Sequence, residues 1–226
     1  KKFKDFSKLT KKNIISISNY DSDHSKYIKK YYKRNHIFVE KPMCRSFKEL
    51  NEIVKISKKN KFKNLLTSNL VLREAEIFKK ITKELSKNSF GKIYYFEADY
   101  LYGRLKKITN GWRGKDSNYS VTLGGGIHLI DLMITFFNEV PAYVTSYANK
   151  IVTKNKNFKF NDFVQSNYFF RNGAIAKISS NFGCVHKHQH VVKIYGTKKT
   201  FIYDDKGARV YNRYDPAPHI SKKIKK

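Results

Sequence analysis

Two short motifs in this sequence combine side chains that can transfer protons. The first is Glu40-Lys41-Pro42, which directly follows the apolar run at 36–39. A lysine at the end of a buried strand is partly removed from water, which lowers its pKa and lets it exchange a proton near neutrality. Pro42 fixes the backbone that follows the lysine. Taken alone, the tripeptide is more typical of a strand-end ion pair in a lysine-rich protein.

A glycine-rich segment forms the second motif, Gly124-Gly125-Gly126-Ile127-His128-Leu129-Ile130-Asp131. If a helix begins at the glycines, His128 and Asp131 are three residues apart and share one face. Exposed amides at such a helix start favour an anion or a hydroxyl oxygen nearby. A histidine beside them can hold or relay the proton of a substrate hydroxyl. The alternative is a core histidine that is hydrogen-bonded to Asp131.

Alternating strands and helices position the first motif. Short apolar runs predict buried parallel strands, and Ser46, with Glu49 three residues on, predicts a capped helix start. Asp21 or Ser22 is the expected cap of the preceding helix. This alternation is typical of a parallel sheet that binds ligands at the carboxyl ends of its strands. The predicted elements are a strand at 13–18, a helix at 23–34, a strand at 36–39, a helix at 46–59 and a strand at 64–67.

Further along the chain, alternating strands surround the second motif. Turn residues at 171–173, 196–198 and 205–207 predict hairpins, and hence an antiparallel sheet. The predicted elements are a helix at 74–86, a strand at 93–102, a loop through Trp112 and Arg113, a helix from the glycines, and strands at 142–148, 163–170, 174–181, 190–195, 200–203 and 209–211.

The two patterns predict two domains with a boundary near residue 72. Residues 1–72 are expected to be the C-terminal part of a parallel, doubly wound dinucleotide-binding domain of the Rossmann type. Residues 73–226 are expected to form an α+β domain with an open-faced, mostly antiparallel sheet. A doubly wound sheet normally has more than three strands and phosphate-binding glycines in its first turn. Because both are missing and the chain starts at Lys1, we expect a fragment cut at both ends; the alternative is a complete small domain of unusual topology.

The formal net charge of +29 suggests a nucleic-acid or anionic-membrane partner. Two features oppose that interpretation. Only 8 of the 47 basic residues are Arg, the side chain best suited to bidentate recognition of phosphates and bases. The lysines are scattered from Lys1 to Lys226 rather than gathered in one arm or stripe. We therefore expect no nucleic-acid or membrane partner, and the charge is typical of a solvated surface.

Composition also bounds the compartment and the kinds of site. With 40% hydrophobic residues, the chain has enough apolar side chains for an ordinary core. Cys44 and Cys184 lie far apart without CxxC spacing, which favours free thiols over a disulfide or a metal site. No apolar run approaches the ~20 residues that cross a bilayer, and the lysine-rich start lacks the apolar stretch of a signal peptide. We expect a cytoplasmic protein.

The two motifs and five further segments resemble, in the same order, the Gfo/Idh/MocA family, named for glucose-fructose oxidoreductase and inositol dehydrogenase. Each segment is short, but their agreement in register makes the resemblance specific, and it extends over essentially the whole chain. The matching segments are His24 after a polar loop, 38–42, 69–73, 90–93, 112–113, 125–131 and 194–198.

The resemblance implies a Rossmann domain that binds NAD or NADP and a C-terminal sheet that shapes the substrate site and forms a homo-oligomer. Lys41 resembles the residue that contacts both the nicotinamide and the substrate hydroxyl, and His128 resembles the catalytic histidine. Asp131 is expected, with Lys41 and His128, to contact the substrate. The other residues expected beside the cofactor are Ser18, Asn19, Glu40, Trp112 and Arg113.

Trp112 and Arg113 resemble a pair that approaches the nicotinamide half of the cofactor. A guanidinium also suits a pyrophosphate on physical grounds, because it donates paired hydrogen bonds to phosphate oxygens. The alternative is a buried aromatic ring beside a surface cation.

The implied reaction is oxidation of a secondary alcohol on a sugar or cyclitol. The hydride passes to the nicotinamide, and the hydroxyl proton leaves through His128 or Lys41. Many family members have an Asp four residues before the catalytic histidine, where this sequence has Gly124. Either Asp131 or Lys41 takes that role, or the role is unfilled.

Two alternative functions are a non-catalytic family member that binds a sugar or cofactor and, less favoured, a basic nucleic-acid binder.

Overall fold

The computed structural model describes residues 13–212, 214 and 222–223. It divides into two compact units, Lys1–Leu70 and Val71–Lys226. Among the described residues, no helix is long and apolar enough to cross a membrane.

The first unit contains a three-stranded parallel sheet with two helices packed on one face. Ile15 and Ile17 of the first strand and Ile37 and Val39 of the second are buried, whereas Ile14 is 78% exposed. The sequence predicted strands buried throughout, but within the described residues only one face is covered. The elements are β1 (Ile14–Ile17), a 3-10 turn (Asp21–Asp23), α1 (His24–Tyr31), β2 (His36–Val39), α2 (Phe47–Lys59) and β3 (Leu66–Ser68), with the strand order β1-β2-β3.

The helix starts of the first unit fulfil one of the two capping predictions. Ser46 Oγ accepts a hydrogen bond from the backbone N–H of Glu49 at 3.2 Å, and the Glu49 carboxylate accepts one from the Arg45 N–H at 2.6 Å. This arrangement fixes the start of α2. The prediction of Asp21 or Ser22 as the cap of α1 is wrong, because both belong to the 3-10 turn and the residue before α1, Asp23, makes no side-chain cap.

The second unit contains an eight-stranded sheet with its helices on one face. Only the pairing of β4 with β7, at the centre, is parallel; the strand order is β11-β10-β9-β8-β4-β7-β6-β5. The elements are a 3-10 turn (Val71–Glu74), α3 (Glu76–Ser86), β4 (Ile93–Leu101), α4 (Leu105–Thr109), α5 (Trp112–Lys115), a π-helical turn (Thr122–Gly126), α6 (Ile127–Phe137), β5 (Tyr143–Asn149), β6 (Phe163–Phe169), β7 (Ile175–Asn181), β8 (Gln189–Gly196), β9 (Thr200–Asp204), β10 (Gly207–Tyr211) and β11 (Lys222–Lys223).

Strand periodicity determines which side chains of the second unit meet the helices. Several even-numbered residues of β4 and β8 are fully buried, among them Phe96 and Ile194. They pack with Leu132 and Met133 of α6, which are also fully buried. The odd-numbered Glu97 lies on the other face, where it forms ion pairs with two lysines. The sheet therefore has one apolar face and one polar face.

The segment around Trp112 differs from its prediction. The sequence predicted a loop there, but the structure forms the two short helices α4 and α5. Gly114 lies so close to the carbonyl oxygens of Ile108 and Asn157 that a Cβ atom would be 2.5 and 2.8 Å from them. Such short helices depend on this local packing rather than on an apolar repeat, so sequence periodicity does not predict them.

Candidate functional site

In the first unit, polar residues follow all three parallel strands at their carboxyl ends. Ser18 and Asn19 follow β1, and Glu40 and Lys41 follow β2. His24, fully buried at the start of α1, lies between the two loops. Its Nδ1 is 2.7 Å from the carbonyl oxygen of Pro42, and its Nε2 is 3.1 Å from that of Asn19. One imidazole thus ties together the loops that hold the predicted cofactor residues.

Glu40 is held in place by the strand beside it. Asn69, which follows β3, donates a side-chain hydrogen bond to Glu40 Oε1 at 2.7 Å and a backbone hydrogen bond to the Val39 carbonyl at 2.9 Å. The Glu40 N–H donates to the Ile17 carbonyl at 2.8 Å. Lys41 is half-buried, and its peptide bond to Pro42 is cis. The carboxylate therefore has a fixed position one residue before the lysine.

Two polar atoms at this edge suit a bound polar group. Asn19 Oδ1 and Ser68 Oγ are buried, and neither has a hydrogen-bond partner within the described part of the chain. Buried polar atoms normally have a partner, because leaving one unpaired costs about 1–3 kcal/mol. These atoms follow or end β1 and β3, at the edge where parallel sheets bind nucleotides. The residues present therefore fit a dinucleotide, whose ribose and amide groups would supply the missing hydrogen bonds.

In the second unit, the three glycines bring the start of α6 onto the sheet. A Cβ atom on Gly124 would overlap the Tyr119 hydroxyl, one on Gly125 the Tyr100 ring, and one on Gly126 the Ser180 hydroxyl. All three glycines are buried and form the π-helical turn. The expectation that their amides are exposed for an anion is therefore wrong. The glycines are needed because side chains occupy the space beside them.

His128 lies in the first turn of α6 and is 7% exposed. Its ring meets that of His190 on β8, with centroids 6.3 Å apart and planes at 84°. His190 also lies 5.0 Å from the Tyr100 ring and 5.3 Å from the His188 ring. His188 Nε2 is 3.1 Å from the Tyr100 hydroxyl. Three imidazoles and one phenol therefore form a contiguous group beneath the start of α6.

Burial shifts the pKa of two members of this group. It lowers the pKa of His190 to about 4, with a smaller contribution from the neighbouring charge of His188. It raises the pKa of Tyr100 to about 12. In both cases removal from water disfavours the charged form. The His190 imidazole and the Tyr100 phenol are therefore neutral at physiological pH.

Asp131 lies one turn after His128 and forms a bidentate ion pair with Arg73. Arg73 Nε donates to Asp131 Oδ2 at 2.9 Å, and Arg73 Nη2 donates to Asp131 Oδ1. The Asp131 side chain is 11% exposed. Both of its carboxylate oxygens thus bind a guanidinium from the start of the second unit.

Trp112 and Arg113 lie together in α5. The Arg113 guanidinium lies over the indole ring, 4.6 Å from its centroid, as in a cation–π contact. The edge of Trp112 meets Tyr119, whose hydroxyl fills the space beside Gly124. The structure therefore connects this pair, through Tyr119, to the glycine turn that precedes His128.

The candidate site includes residues that the sequence reasoning missed: His188, His190, Tyr100, Ser68, Asn69 and the bridging role of His24. A signal for two of them was present. His186, His188 and His190 alternate with other residues, a spacing that would place them on one face of a strand, although β8 itself begins only at Gln189. Tyr100 is the register partner of His190, which depends on long-range strand pairing.

The family model described as GFO/IDH/MocA C-terminal domain matches residues 78–202. The chain belongs to the Gfo/Idh/MocA family. This confirms the resemblance found in the sequence, and the partial Rossmann sheet followed by a mostly antiparallel sheet confirms the predicted fold class. No curated protein matches the sequence at a significant level.

Solved structures share the fold at low sequence identity. Levoglucosan dehydrogenase in complex with NADH and L-sorbose superposes with a TM-score of 0.83 and 17% identity, covering 98% of this chain and 62% of that one. An NAD-binding oxidoreductase from Klebsiella pneumoniae gives 0.80 and 14%, covering 93% and 60%. Myo-inositol 2-dehydrogenase from Lactobacillus plantarum gives 0.75 and 17%, covering 87% and 62%. The chain thus spans about three fifths of the length of these proteins.

Proposed function

We propose that this chain is part of an NAD- or NADP-dependent oxidoreductase that oxidises a secondary alcohol of a sugar, a sugar derivative or a cyclitol. The observation that carries the proposal is the bridge made by His24. It links the Asn19 loop to the Lys41 loop at the carboxyl edge of a parallel sheet. That edge is where open α/β sheets bind nucleotides.

The structural neighbours support the same class of reaction. Their names describe a levoglucosan dehydrogenase with NADH and a sugar, and a myo-inositol 2-dehydrogenase. At 17% identity this likeness concerns the fold, so the substrate and cofactor of this chain are proposed from its own residues together with its family.

On the cofactor side, five residues from the sequence motifs are proposed to hold the dinucleotide. When bound, the nicotinamide ring supplies the hydride acceptor. The Ser18 hydroxyl and the buried Asn19 amide oxygen are proposed to hydrogen-bond the dinucleotide. Glu40 is positioned for it by the hydrogen bond from Asn69. Arg113, stacked on Trp112, is suited to a phosphate oxygen.

On the substrate side, Lys41 and His128 are the proposed catalytic residues. Lys41 orients the hydroxyl that is oxidised by donating a hydrogen bond to its oxygen. His128 accepts the hydroxyl proton as the hydride leaves the carbon. Asp131 is proposed to contact the substrate as well, and its ion pair with Arg73 holds this part of α6 in place.

A second candidate is a non-catalytic member that binds a sugar or cofactor as a sensor. Gly124 favours it, because many family members have an Asp at this position, four residues before the histidine. Here the Tyr119 hydroxyl occupies the space that any side chain at position 124 would need. The protein would then bind ligand through the same residues without turnover.

A homo-oligomer through the second sheet is also part of the proposal. The edge strand β5 exposes Tyr143 (60%), Val144 (53%) and Tyr147 (71%). Exposed apolar side chains grouped in this way are typical of protein interfaces. Light scattering after gel filtration tests it: Tyr147→Lys should lower the molar mass, whereas Val185→Lys, at a fully exposed position outside β5, should not.

The main test measures cofactor binding and turnover by the full-length gene product. NADH and NADPH are titrated by fluorescence, and a panel of sugars and cyclitols is assayed with NAD and NADP. Lys41→Ala and His128→Ala should each lower kcat by at least about 100-fold, the usual contribution of a proton-transferring residue. Lys33→Ala and His186→Ala, at surface positions, serve as controls.

Each result separates the candidates. Saturable cofactor binding with turnover that both variants abolish supports the oxidoreductase. Cofactor or sugar binding without turnover supports the sensor. If neither cofactor binds, the dinucleotide site is wrong.

A further inference from the structure

Three of the seven histidines of this chain gather at one place in the second unit. His128 lies on α6, His190 lies on β8, and His188 directly precedes that strand. The mechanism proposed above uses only His128. The other two imidazoles are ionisable groups in contact with a proposed catalytic residue, so they bear on its protonation.

The contacts form a continuous path from a buried to a more exposed position. His190 lies between the other two rings, with centroids 6.3 Å from His128 and 5.3 Å from His188. His128 is buried, whereas His188 and His190 are half-buried. The Tyr100 ring contacts both histidines, with centroids 5.3 Å from His188, which precedes β8, and 5.0 Å from His190, which lies on β8.

Physical chemistry limits how many protons such a group can hold. Burial disfavours each imidazolium, and a second positive charge so close to the first is repelled. Groups that interact this strongly titrate as a unit rather than singly. Burial and the charge of His188 lower the pKa of His190 to about 4, so His190 is not the first of the three rings to bind a proton. Since Tyr100 has a pKa of about 12, it supplies no negative charge near neutrality.

Two cations near Tyr100 act in the same direction. Arg104 lies 5.9 Å from the centre of the Tyr102 ring, and Arg113 lies over Trp112; both favour the ionised form of Tyr100, so their positive charge extends to this region. Such cations oppose protonation of an imidazole.

Asp131, three residues after His128, and Asp205, which contacts His186 and Lys187, are already bound to cations. Asp131 pairs with Arg73. Asp205 lies 2.8 Å from the Lys187 ammonium and 3.5 Å from His186 Nε2. Each of these carboxylates is therefore largely neutralised by a partner other than the three clustered rings.

We propose that His188 and His190 are positioning residues for His128: the three imidazoles titrate as one coupled group that takes its first proton on His188, which keeps His128 neutral. This rests on the oxidoreductase function proposed above. A neutral His128 can accept the hydroxyl proton, whereas an imidazolium cannot. In the proposed reaction the alcohol carbon would lose a hydride to a bound nicotinamide and the hydroxyl would lose its proton to His128, which leaves a ketone.

Histidine titration by NMR tests the coupling without cofactor or substrate. The C2–H signals of the 226-residue chain are followed between about pH 4 and 8.5 and assigned with single variants. His188→Gln removes the first charge, so the His128 titration should move upward by about 0.5 pH unit or more. His186→Gln is the matched control, because this neighbour pairs with Asp205 outside the cluster. It should leave His128 unchanged.

A second measurement covers the case in which His188→Gln does not fold. In the wild-type chain alone, the His128 signal should show a second inflection at the pH where His188 titrates. A single-site curve for His128, or no change of its midpoint in a folded His188→Gln variant, overturns the proposal. Because no cofactor is used, these outcomes are independent of whether the protein binds NAD or NADP.

Discussion

The two units build their candidate sites by different means. In the first, the site lies at strand ends and is held largely by polar contacts to the main chain, with each ring nitrogen of His24 next to a carbonyl oxygen. In the second, the site lies on the face of a sheet and is held by side-chain packing, with glycines pressed against Tyr100, Tyr119 and Ser180. We expect the strand-end site of the first unit to keep its geometry when core residues change. The site of the second unit is itself part of the core. Substitutions in the two units should therefore separate binding from stability.

The largest effect is expected from Gly125→Leu in the second unit. The new side chain would have to occupy space filled by the Tyr100 ring, and overpacking of a core costs about 1–3 kcal/mol. Urea unfolding should show a loss at or above the top of that range, because ring and helix are both buried. Gly173→Ala is the comparison: its neighbourhood is open and only its φ of +85° is unfavourable, so about 1 kcal/mol is expected. Equal losses at both positions would contradict the packing argument.

A pH dependence of stability of about 2 kcal/mol should follow from His190. Above pH 6.5 its imidazole is neutral in both the folded and the unfolded chain, so it imposes no penalty. As the pH falls from 6.5 to about 4, the unfolded chain binds a proton that the folded chain does not, and the free energy of unfolding decreases. Urea titrations at about pH 4.5 and 7 should show a smaller difference for His190→Phe than for the wild type. A His190→Phe variant with the same pH dependence as the wild type would show that His190 is not the cause.

In the first unit, His24→Ala should affect binding more than His190→Phe does. It removes the links to Asn19 and Pro42, so the two loops lose their fixed positions. Cofactor affinity of the full-length gene product should fall about tenfold, which corresponds to the roughly 1.4 kcal/mol of a buried hydrogen bond. His36→Ala is the control. Its ring accepts a hydrogen bond from the Leu65 backbone N–H, and it lies at the opposite end of β2 from the loops. A similar loss of affinity in both variants would point to general destabilisation.

The smallest effect is expected from Asn69→Ala. Only the side-chain link to Glu40 disappears, while the backbone bond of Asn69 to Val39 remains. Cofactor affinity should fall about threefold, less than for His24→Ala, because the carboxylate gains freedom but keeps its strand. Fluorescence titration of NADH measures it. An effect larger than that of His24→Ala would reverse the assigned importance of the two contacts.

The strands and the polar residues at their ends could be predicted from the sequence because they depend on short-range patterns. Alternation along β4 and β8, the hairpin turns and the Ser46 cap are all local signals, and the structure contains each of them. The position of Lys41 directly after β2 followed from the same reasoning.

The features of the site that the sequence did not predict depend on contacts between residues that are distant in the sequence. Whether the amides of 124–126 are open to a ligand depends on Tyr100 and Ser180, which are brought there by two other strands. The partners of His128 and Asp131 likewise come from β8 and from Arg73. Residue types alone suggested a bond between His128 and Asp131 as one alternative, and only the three-dimensional arrangement reveals the Arg73 pair.

The central strand β4 also has a consequence for the order of folding. Both of its neighbours lie far along the chain, since Tyr95 pairs with Ile175 of β7 and with Tyr195 of β8. The connections within β5-β6-β7 and within β8-β9-β10 are much shorter than the chain segments that separate β4 from its partners, so closing them costs less chain entropy than these long-range pairings. We therefore expect the two meanders to form first and β4 to join them last. The imidazole group beneath α6 would then assemble only at this final step, since Tyr100 arrives with β4.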